Sequence, residues 1–152
     1  MSTNLRCGKR KKYSLYPEEK EELVKRIGIL ISKRSNAAFA YIYGSFLEDN
    51  GFGDIDIAFY FHRKNLPAES DIISLEIQME MELQKEFGYL FDARIINYAP
   101  ISFCYNVLKN GTPIYIDDDD LRVNFFSMIV KKYIDFLPYR KRYLKEVLGL
   151  EV

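Results

Sequence analysis

Cysteine is scarce in this sequence, and long apolar runs are missing. Only two cysteines, Cys7 and Cys104, occur among the 152 residues, and neither has a histidine or cysteine neighbour at metal-ligand spacing. The sequence therefore predicts neither a disulfide framework nor a zinc site. No apolar run is long enough to span a bilayer, and the basic N-terminal segment is not followed by the apolar core of a signal peptide. We therefore expect a cytoplasmic protein without a membrane partner.

Net charge is also absent, since 22 lysine and arginine residues balance 22 aspartate and glutamate residues. No overall charge favours nucleic acid as a partner, so direct nucleic-acid binding is not expected. Locally the charge is uneven, because residues 1–14 form a basic arm and acids crowd residues 69–86. A hydrophobic content of 48% is ample for one packed core, and we expect a single domain over residues 1–152.

The pattern of apolar residues predicts alternating helices and strands. Helical spacing predicts helices that open at Pro17, Pro67 and Ser102. Short apolar runs predict four strands, at Ala37–Tyr43, Asp54–Phe61, Tyr89–Ile96 and Ile114–Ile116. Residues 118–150 are predicted to form C-terminal helices, with a break at Pro138. This order predicts an α+β fold, with a small mixed β-sheet, helices packed on one side of it and a C-terminal helical tail.

Two acids open the second predicted strand. Because side chains alternate along a strand, Asp54 and Asp56 point to the same face, while Ile55 and Ile57 point into the core. The two carboxylates can therefore converge on one cation, and Mg²⁺ takes one or two carboxylates and completes its octahedron with phosphate oxygens and water. By itself, however, an Asp-x-Asp tripeptide is more often just a pair of solvent-exposed acids at the edge of a strand.

A glycine-serine pair at the end of the first strand adds a second feature. Gly44 lets the backbone approach a phosphate closely, and exposed amides with the Ser45 hydroxyl form an anion site. Asp92 adds a third carboxylate, in a strand that we expect to pair beside the second one. Acids are rarely buried in strands without a partner, so a functional role is favoured for Asp92.

Together these motifs resemble one family of enzymes. The segments Tyr43-Gly44-Ser45, then after eight intervening residues Asp54-Ile55-Asp56-Ile57, and later Phe91-Asp92-Ala93 are similar to the DNA polymerase beta nucleotidyltransferase superfamily. More narrowly, they resemble the minimal nucleotidyltransferase (MNT) proteins of bacteria and archaea. The stretch between Ser45 and Asp54 is shorter than is commonest in the family, and Gly53 stands where serine or arginine is frequent. These departures concern the binding of phosphate, not of metal.

The resemblance implies a magnesium-dependent enzyme that uses ATP. Gly44 and Ser45 would hold the nucleotide phosphates, and Asp54 and Asp56 would bind two Mg²⁺ ions. Asp92 would complete the metal site and help to place or activate the attacking hydroxyl. Two metal ions can stabilise both the attacking and the leaving oxygen of an in-line displacement. Resemblance to MNT antitoxins implies transfer of AMP to a tyrosine of a HEPN-domain ribonuclease toxin encoded nearby, so that one chain is both enzyme and antitoxin.

Two other functions are compatible with the same residues. A tyrosine-rich, partly basic tail fits a binding module that neutralises its partner by stoichiometric complex formation. The metal site would equally serve a small-molecule nucleotidyltransferase that modifies a hydroxyl of an antibiotic-like compound. We expect His62 and the basic run Arg140–Arg142 to be solvated surface, and the acids Asp117–Asp120 to form a loop and a helix N-terminus.

Overall fold

The computed structural model describes residues 11–150, so residues 1–10 of the predicted basic arm lie outside the described part. The helices are α1 (Pro17–Arg34), α2 (Ile72–Phe87), α3 (Ile101–Asn110) and α4 (Asp119–Glu146). The strands are β1 (Ala37–Tyr43), β2 (Asp54–Phe61), β3 (Leu90–Ile95) and β4 (Thr112–Ile116). Within residues 11–150, no helix has the length and apolar character needed to cross a membrane.

The four strands form one mixed sheet in the order β3-β2-β1-β4. β1 runs antiparallel to both β2 and β4, whereas β2 and β3 are parallel and are connected through α2. The predicted α+β class, the mixed sheet and all four strands are therefore confirmed. The parallel pair matters for the site, because it places the beginnings of β2 and β3 at the same end of the sheet.

The predicted placement of the helices on one side of the sheet requires a correction. α1 and α2 pack on one face, where Ile27 and Leu83 join the core, while α3 and α4 pack on the opposite face through Val107 and Ile129. Six of the seven residues of β1 are buried, so a single helical layer would leave half of that strand's apolar side chains exposed. We call the two surfaces the α1/α2 face and the α3/α4 face.

The predicted break at Pro138 is wrong, because α4 runs without interruption from Asp119 to Glu146. Proline removes one helical N–H and crowds the carbonyl four residues earlier, which here belongs to Ile134. A long helix can absorb this by bending. Ile134 and Phe136 are both more than half exposed, so little packing opposes such an adjustment at this end of the helix.

An aspartate cap begins α4. The Asp118 carboxylate accepts a hydrogen bond from the Leu121 N–H at 3.0 Å, and Asp119 and Asp120 occupy the first turn, where negative charge is favourable. The predicted helix N-terminus at Asp117–Asp120 is therefore confirmed. His62 is less solvated than predicted, since its side chain is 25% exposed and its Nε2 lies 3.8 Å from Asp118 Oδ2.

Side chains of α2 close the open edge of β3. Three backbone N–H groups donate to them: Ile95 to Glu76, Ala93 to Glu80 and Phe91 to Gln84, at 2.9, 2.8 and 3.4 Å. The acceptors are spaced four residues apart on α2, which is a rise of about 6 Å, and the donors are spaced two residues apart on β3, which is about 6.6 Å. Successive acceptors therefore stay opposite successive donors. These bonds satisfy donors that an edge strand otherwise exposes. They also fix the position of Asp92, which lies within this stretch of β3.

Candidate active site

The register of three strands brings the predicted carboxylates to one end of the α3/α4 face. Asp56 pairs with Tyr43 of β1 across the antiparallel ladder and with Asp92 of β3 across the parallel one. Asp54 begins β2 and points to the same face as Asp56. Ile55 and Ile57 are fully buried on the other face, so their predicted core positions are confirmed. Asp56 is thus at the centre of the carboxylate group.

The turn after β1 depends on Gly44. Its φ of +80° lies in the left-handed region, which strongly favours glycine. A Cβ at this position would also overlap the carboxylate of Asp56. A short 3-10 turn over Gly44–Leu47 follows, in which the Ser45 carbonyl accepts a hydrogen bond from the Glu48 N–H at 3.0 Å. The glycine therefore allows the turn and leaves open the space beside Asp56.

Lys20 of α1 anchors this turn from behind. Its Nζ donates to the carbonyl oxygens of Phe46 and Glu48, at 2.6 and 2.9 Å. The ammonium group also lies 5.1 Å from the centroid of the buried Phe46 ring. No sequence pattern points to Lys20, because 26 residues separate it from Phe46 and the contact is purely tertiary.

The short stretch between Ser45 and Asp54 is held by Phe52. This residue is fully buried, and its backbone exchanges two hydrogen bonds with Tyr13, at 2.8 and 2.9 Å. The Tyr13 ring in turn makes an edge contact with Tyr89, with 4.8 Å between centroids. Of the predicted basic arm over residues 1–14, Tyr13 at least is therefore built into the fold beside the site.

The carboxylates are close enough to perturb one another. Burial, followed by the charges of Asp54 and Asp92, raises the pKa of Asp56 to about 6, while Arg94 acts in the opposite direction. The pKa of the Tyr43 phenol is also raised, first by burial and then by Asp56 and Asp92. Negative charge is thus concentrated at this end of the sheet. A bound cation would relieve that repulsion.

Arg94 forms an ion pair with Asp92. Its Nε lies 3.4 Å from Asp92 Oδ1, with side-chain exposures of 59% and 38%, so the pair is solvent-screened and is worth less than about 1 kcal/mol. Asp92 is therefore partly exposed and has a partner, and its register with Asp56 is better evidence for a role than burial. The period-two alternation that puts Asp54 and Asp56 on one face also puts Asp92 and Arg94 on one face. This alternation is the sequence pattern from which a place for Arg94 beside the site could have been predicted.

Asp54 and Asp56 supply the donors that a magnesium ion prefers. Among residues 11–150, no three histidine, cysteine, aspartate or glutamate side chains are arranged to hold one metal ion together. Mg²⁺ requires no such cluster, because one or two carboxylates suffice when substrate phosphates and water complete the coordination. The pair of aspartates and the raised pKa of Asp56 therefore fit an ion that binds together with a nucleotide.

Residues 25–120 match the family model described as polymerase beta, nucleotidyltransferase. The chain belongs to this family. The match spans the Gly44–Ser45 turn and all three aspartates, and it confirms both the resemblance seen in the motifs and the fold. No curated protein is significantly similar to the chain in sequence. This protein thus carries a nucleotidyltransferase domain.

Solved structures that share the fold include toxin-antitoxin complexes. A chain of the MntA-HepT toxin-antitoxin structure is 14% identical, with a TM-score of 0.62 over 86% of this chain and 98% of that chain. A chain of the structure of a tri-AMPylated Shewanella oneidensis HEPN toxin in complex with MNT antitoxin is 15% identical, with a TM-score of 0.63 over 86% of this chain and 98% of that chain. A chain of a toxin-antitoxin structure with AMP-PNP is 17% identical, with a TM-score of 0.61 over 88% of this chain and 99% of that chain. At such identities the likeness establishes the fold.

Proposed function

We propose that this chain is a magnesium-dependent enzyme that transfers AMP from ATP to a hydroxyl, most simply a tyrosine, of a HEPN-domain toxin, and thereby acts as an antitoxin. One observation carries the proposal: Asp56 lies in register with Tyr43 and Asp92 beside the Gly44 turn, in a domain of the nucleotidyltransferase family. Likeness to one complex with an AMPylated toxin and to another with AMP-PNP supports the choice of nucleotide and acceptor.

The proposal gives each predicted residue a role. The backbone at Gly44 and the hydroxyl of Ser45 bind the phosphates of ATP. Asp54 and Asp56 are the carboxylates that hold two Mg²⁺ ions. When bound, these ions neutralise phosphate charge and stabilise the attacking and leaving oxygens. Asp92 completes the site beside Asp56 and orients the attacking hydroxyl.

The proposed step is a single in-line displacement. The hydroxyl oxygen of the acceptor forms a bond to the α-phosphorus of ATP, while the bond from that phosphorus to the bridging oxygen breaks. Pyrophosphate leaves with the electron pair of the broken bond, and AMP remains on the acceptor. The hydroxyl proton passes to Asp92 and then to water. Because position and charge dominate such transfers, small displacements of these residues should have large kinetic effects.

Intact-mass measurement tests this function. The purified chain is incubated with ATP, Mg²⁺ and the HEPN-domain toxin encoded beside it, and the toxin is expected to gain one or more AMP units. The double variant Asp54→Asn/Asp56→Asn should lose the transfer while it still binds the toxin.

Three other outcomes would overturn the proposal. A double variant that still neutralises the toxin without AMP transfer would support a binding module, as would a stable wild-type complex that forms no adduct. Transfer to an antibiotic-like hydroxyl compound but not to the toxin would support a small-molecule nucleotidyltransferase.

A further inference from the structure

A cleft of about 340 Å³ lies beside β3, and its lining includes Arg94, the ion-pair partner of Asp92. It lies between the beginning of α2, the edge strand β3 and the beginning of α3, and we call it the β3 cleft. Its lining combines apolar and aromatic side chains with three charged groups; the residues that matter here are Glu69, Ile73, Glu76, Arg94, Tyr98 and Phe103.

Two contacts join the β3 cleft to the candidate active site. Arg94 lines the cleft, and its Nε lies 3.4 Å from Asp92 Oδ1. Phe103 also lines it and makes an edge contact with the ring of Tyr43, with 5.7 Å between centroids. Tyr43 is the cross-strand partner of Asp56, so the cleft is lined by β3 directly and reaches the neighbourhood of Asp56 through Phe103. It therefore approaches the carboxylates from the β3 side, whereas the Gly44 turn bounds them on the β1 side.

We infer that the β3 cleft is the acceptor subsite, and that it binds an aromatic hydroxyl side chain flanked by cationic residues of a protein. This inference rests on the proposed transferase function. In an in-line displacement the attacking and leaving oxygens lie on opposite sides of the phosphorus. Phosphates bound at Gly44 and Ser45 on the β1 side leave the β3 side, next to Asp92, for the attacking hydroxyl.

The lining of the cleft indicates the chemistry of its occupant. Ile73 and Tyr98 are 68% and 52% exposed, and together with the Phe103 ring they form walls suited to another aromatic ring. Glu69 and Glu76 outnumber Arg94, which already lies beside Asp92, so the lining has a net negative charge. Negative charge around an apolar pocket favours an acceptor whose aromatic residue has basic neighbours.

A larger cavity of about 500 Å³ lies behind the Gly44–Leu47 turn, but it does not serve this purpose as well. Neither cavity is lined by Asp54, Asp56 or Asp92 themselves. The β3 cleft, however, is lined by Arg94, which lies 3.4 Å from Asp92, whereas the larger cavity is lined by residues of α1 and of the turn, such as Tyr16, Lys20 and Phe46. An acceptor there would be separated from the carboxylates by the turn itself. The smaller β3 cleft is therefore the better acceptor site.

A peptide probe tests the inference without relying on turnover. The peptide acetyl-Lys-Arg-Tyr-Lys-amide is titrated into ¹⁵N-labelled protein in the presence of Mg²⁺ and AMP-PNP. Amide signals of Ile73, Arg94 and Tyr98 are expected to shift, and a peptide with glutamate in place of its three basic residues should bind roughly tenfold more weakly. No shift of these amides at millimolar peptide, or shifts confined to another surface, would overturn the inference.

The variant Ile73→Arg, with Ile77→Arg as its matched control, sharpens the test. Both isoleucines are exposed on α2 one turn apart, at 68% and 49%, but only Ile73 lines the cleft. Ile73→Arg places bulk and positive charge in the cleft, so binding of the basic peptide and AMP transfer to the toxin should each fall about tenfold or more. Ile77→Arg should change neither by more than about twofold, and AMP-PNP affinity should be the same in both variants.

The acceptor subsite and the transferase function fail in different ways. If AMP-PNP with Mg²⁺ shifts no amide of residues 44–56 and no AMP is transferred, the proposed function fails, and the acceptor role fails with it. If AMP reaches the toxin but Ile73→Arg and Ile77→Arg transfer it equally well, only the acceptor subsite is overturned.

Discussion

The two faces of the sheet differ sharply, although the same strands build both. On the α1/α2 face, β2 presents Ile55 and Ile57, which are fully buried. On the α3/α4 face, one residue away along the chain, it presents Asp54 and Asp56, which stay partly exposed because the second core covers the other end of this face at Ala58. Strand alternation thus lets a single strand fill a core on one face and present a pair of carboxylates on the other.

The side chains that the first half of β2 presents on the two faces contribute to stability with opposite signs. Burial of apolar side chains on the α1/α2 face stabilises the fold, whereas on the α3/α4 face partial burial, and then the charges of Asp54 and Asp92, disfavour the ionised form of Asp56 and raise its pKa. A functional site can tolerate such unfavourable electrostatics only when the rest of the fold is stable enough to hold it. Changes on the two faces should therefore have distinguishable effects.

The largest expected effect on stability is that of Ile57→Ala on the α1/α2 face. Ile57 is fully buried, so its truncation removes apolar contacts and leaves a cavity, which should lower the free energy of unfolding by about 2 to 5 kcal/mol. Urea unfolding followed by circular dichroism measures this change. The control Ile77→Ala, at a site that is 49% exposed, should cost less than about 0.5 kcal/mol. Equal losses in the two variants would show that the α1/α2 face does not supply the stability assigned to it.

A second test compares two glycines with nearly the same backbone conformation. Gly44 and Gly88 have φ values of +80° and +78°, but a Cβ would meet the Asp56 carboxylate at Gly44 and nothing within 4 Å at Gly88. Both alanine variants should lose about 1 to 2 kcal/mol of stability from backbone strain. Only Gly44→Ala should also slow AMP transfer, on the order of 100-fold, because it displaces Asp56 and the Gly44–Leu47 turn. Similar rates of AMP transfer in the two variants would mean that Gly44 is not part of the active site.

Local sequence patterns predicted the strands and the common face of Asp54 and Asp56, because both depend only on period-two alternation and on apolar runs. They also predicted the partnership of β2 and β3, which the structure refines to an in-register pair of Asp56 and Asp92. Sequence spacing cannot tell which face of a sheet a helix will cover. α3 and α4 were therefore placed with the other helices, although they build a second core on the opposite face.

Long-range contacts were beyond the reach of such patterns. Lys20 holds the Gly44–Leu47 turn through two backbone carbonyls, yet its position in an acidic, amphipathic helix predicts only a solvated side chain. Pro138 shows the opposite problem, since a strong local signal for a break is overridden within a long helix. The position of Arg94 beside the site could have been predicted from the sequence, because period-two alternation places it on the same strand face as Asp92.

The smallest expected effect is the dependence of stability on pH, which reports the burial of Asp56 beside the other carboxylates on the α3/α4 face. In the folded protein the pKa of Asp56 is about 6, above its ordinary value of 3.8, so the folded state binds this proton more tightly than the unfolded state. The resulting stabilisation is complete below about pH 4 and is lost as the pH rises through about 6. In EDTA, the Tm of wild type relative to Asp56→Asn should therefore fall as the pH rises from about 4 to about 7. Adding Mg²⁺ with AMP-PNP should reduce that fall, because a cation replaces the proton. A difference in Tm that does not vary with pH would mean that burial and the neighbouring carboxylates do not raise the pKa of Asp56.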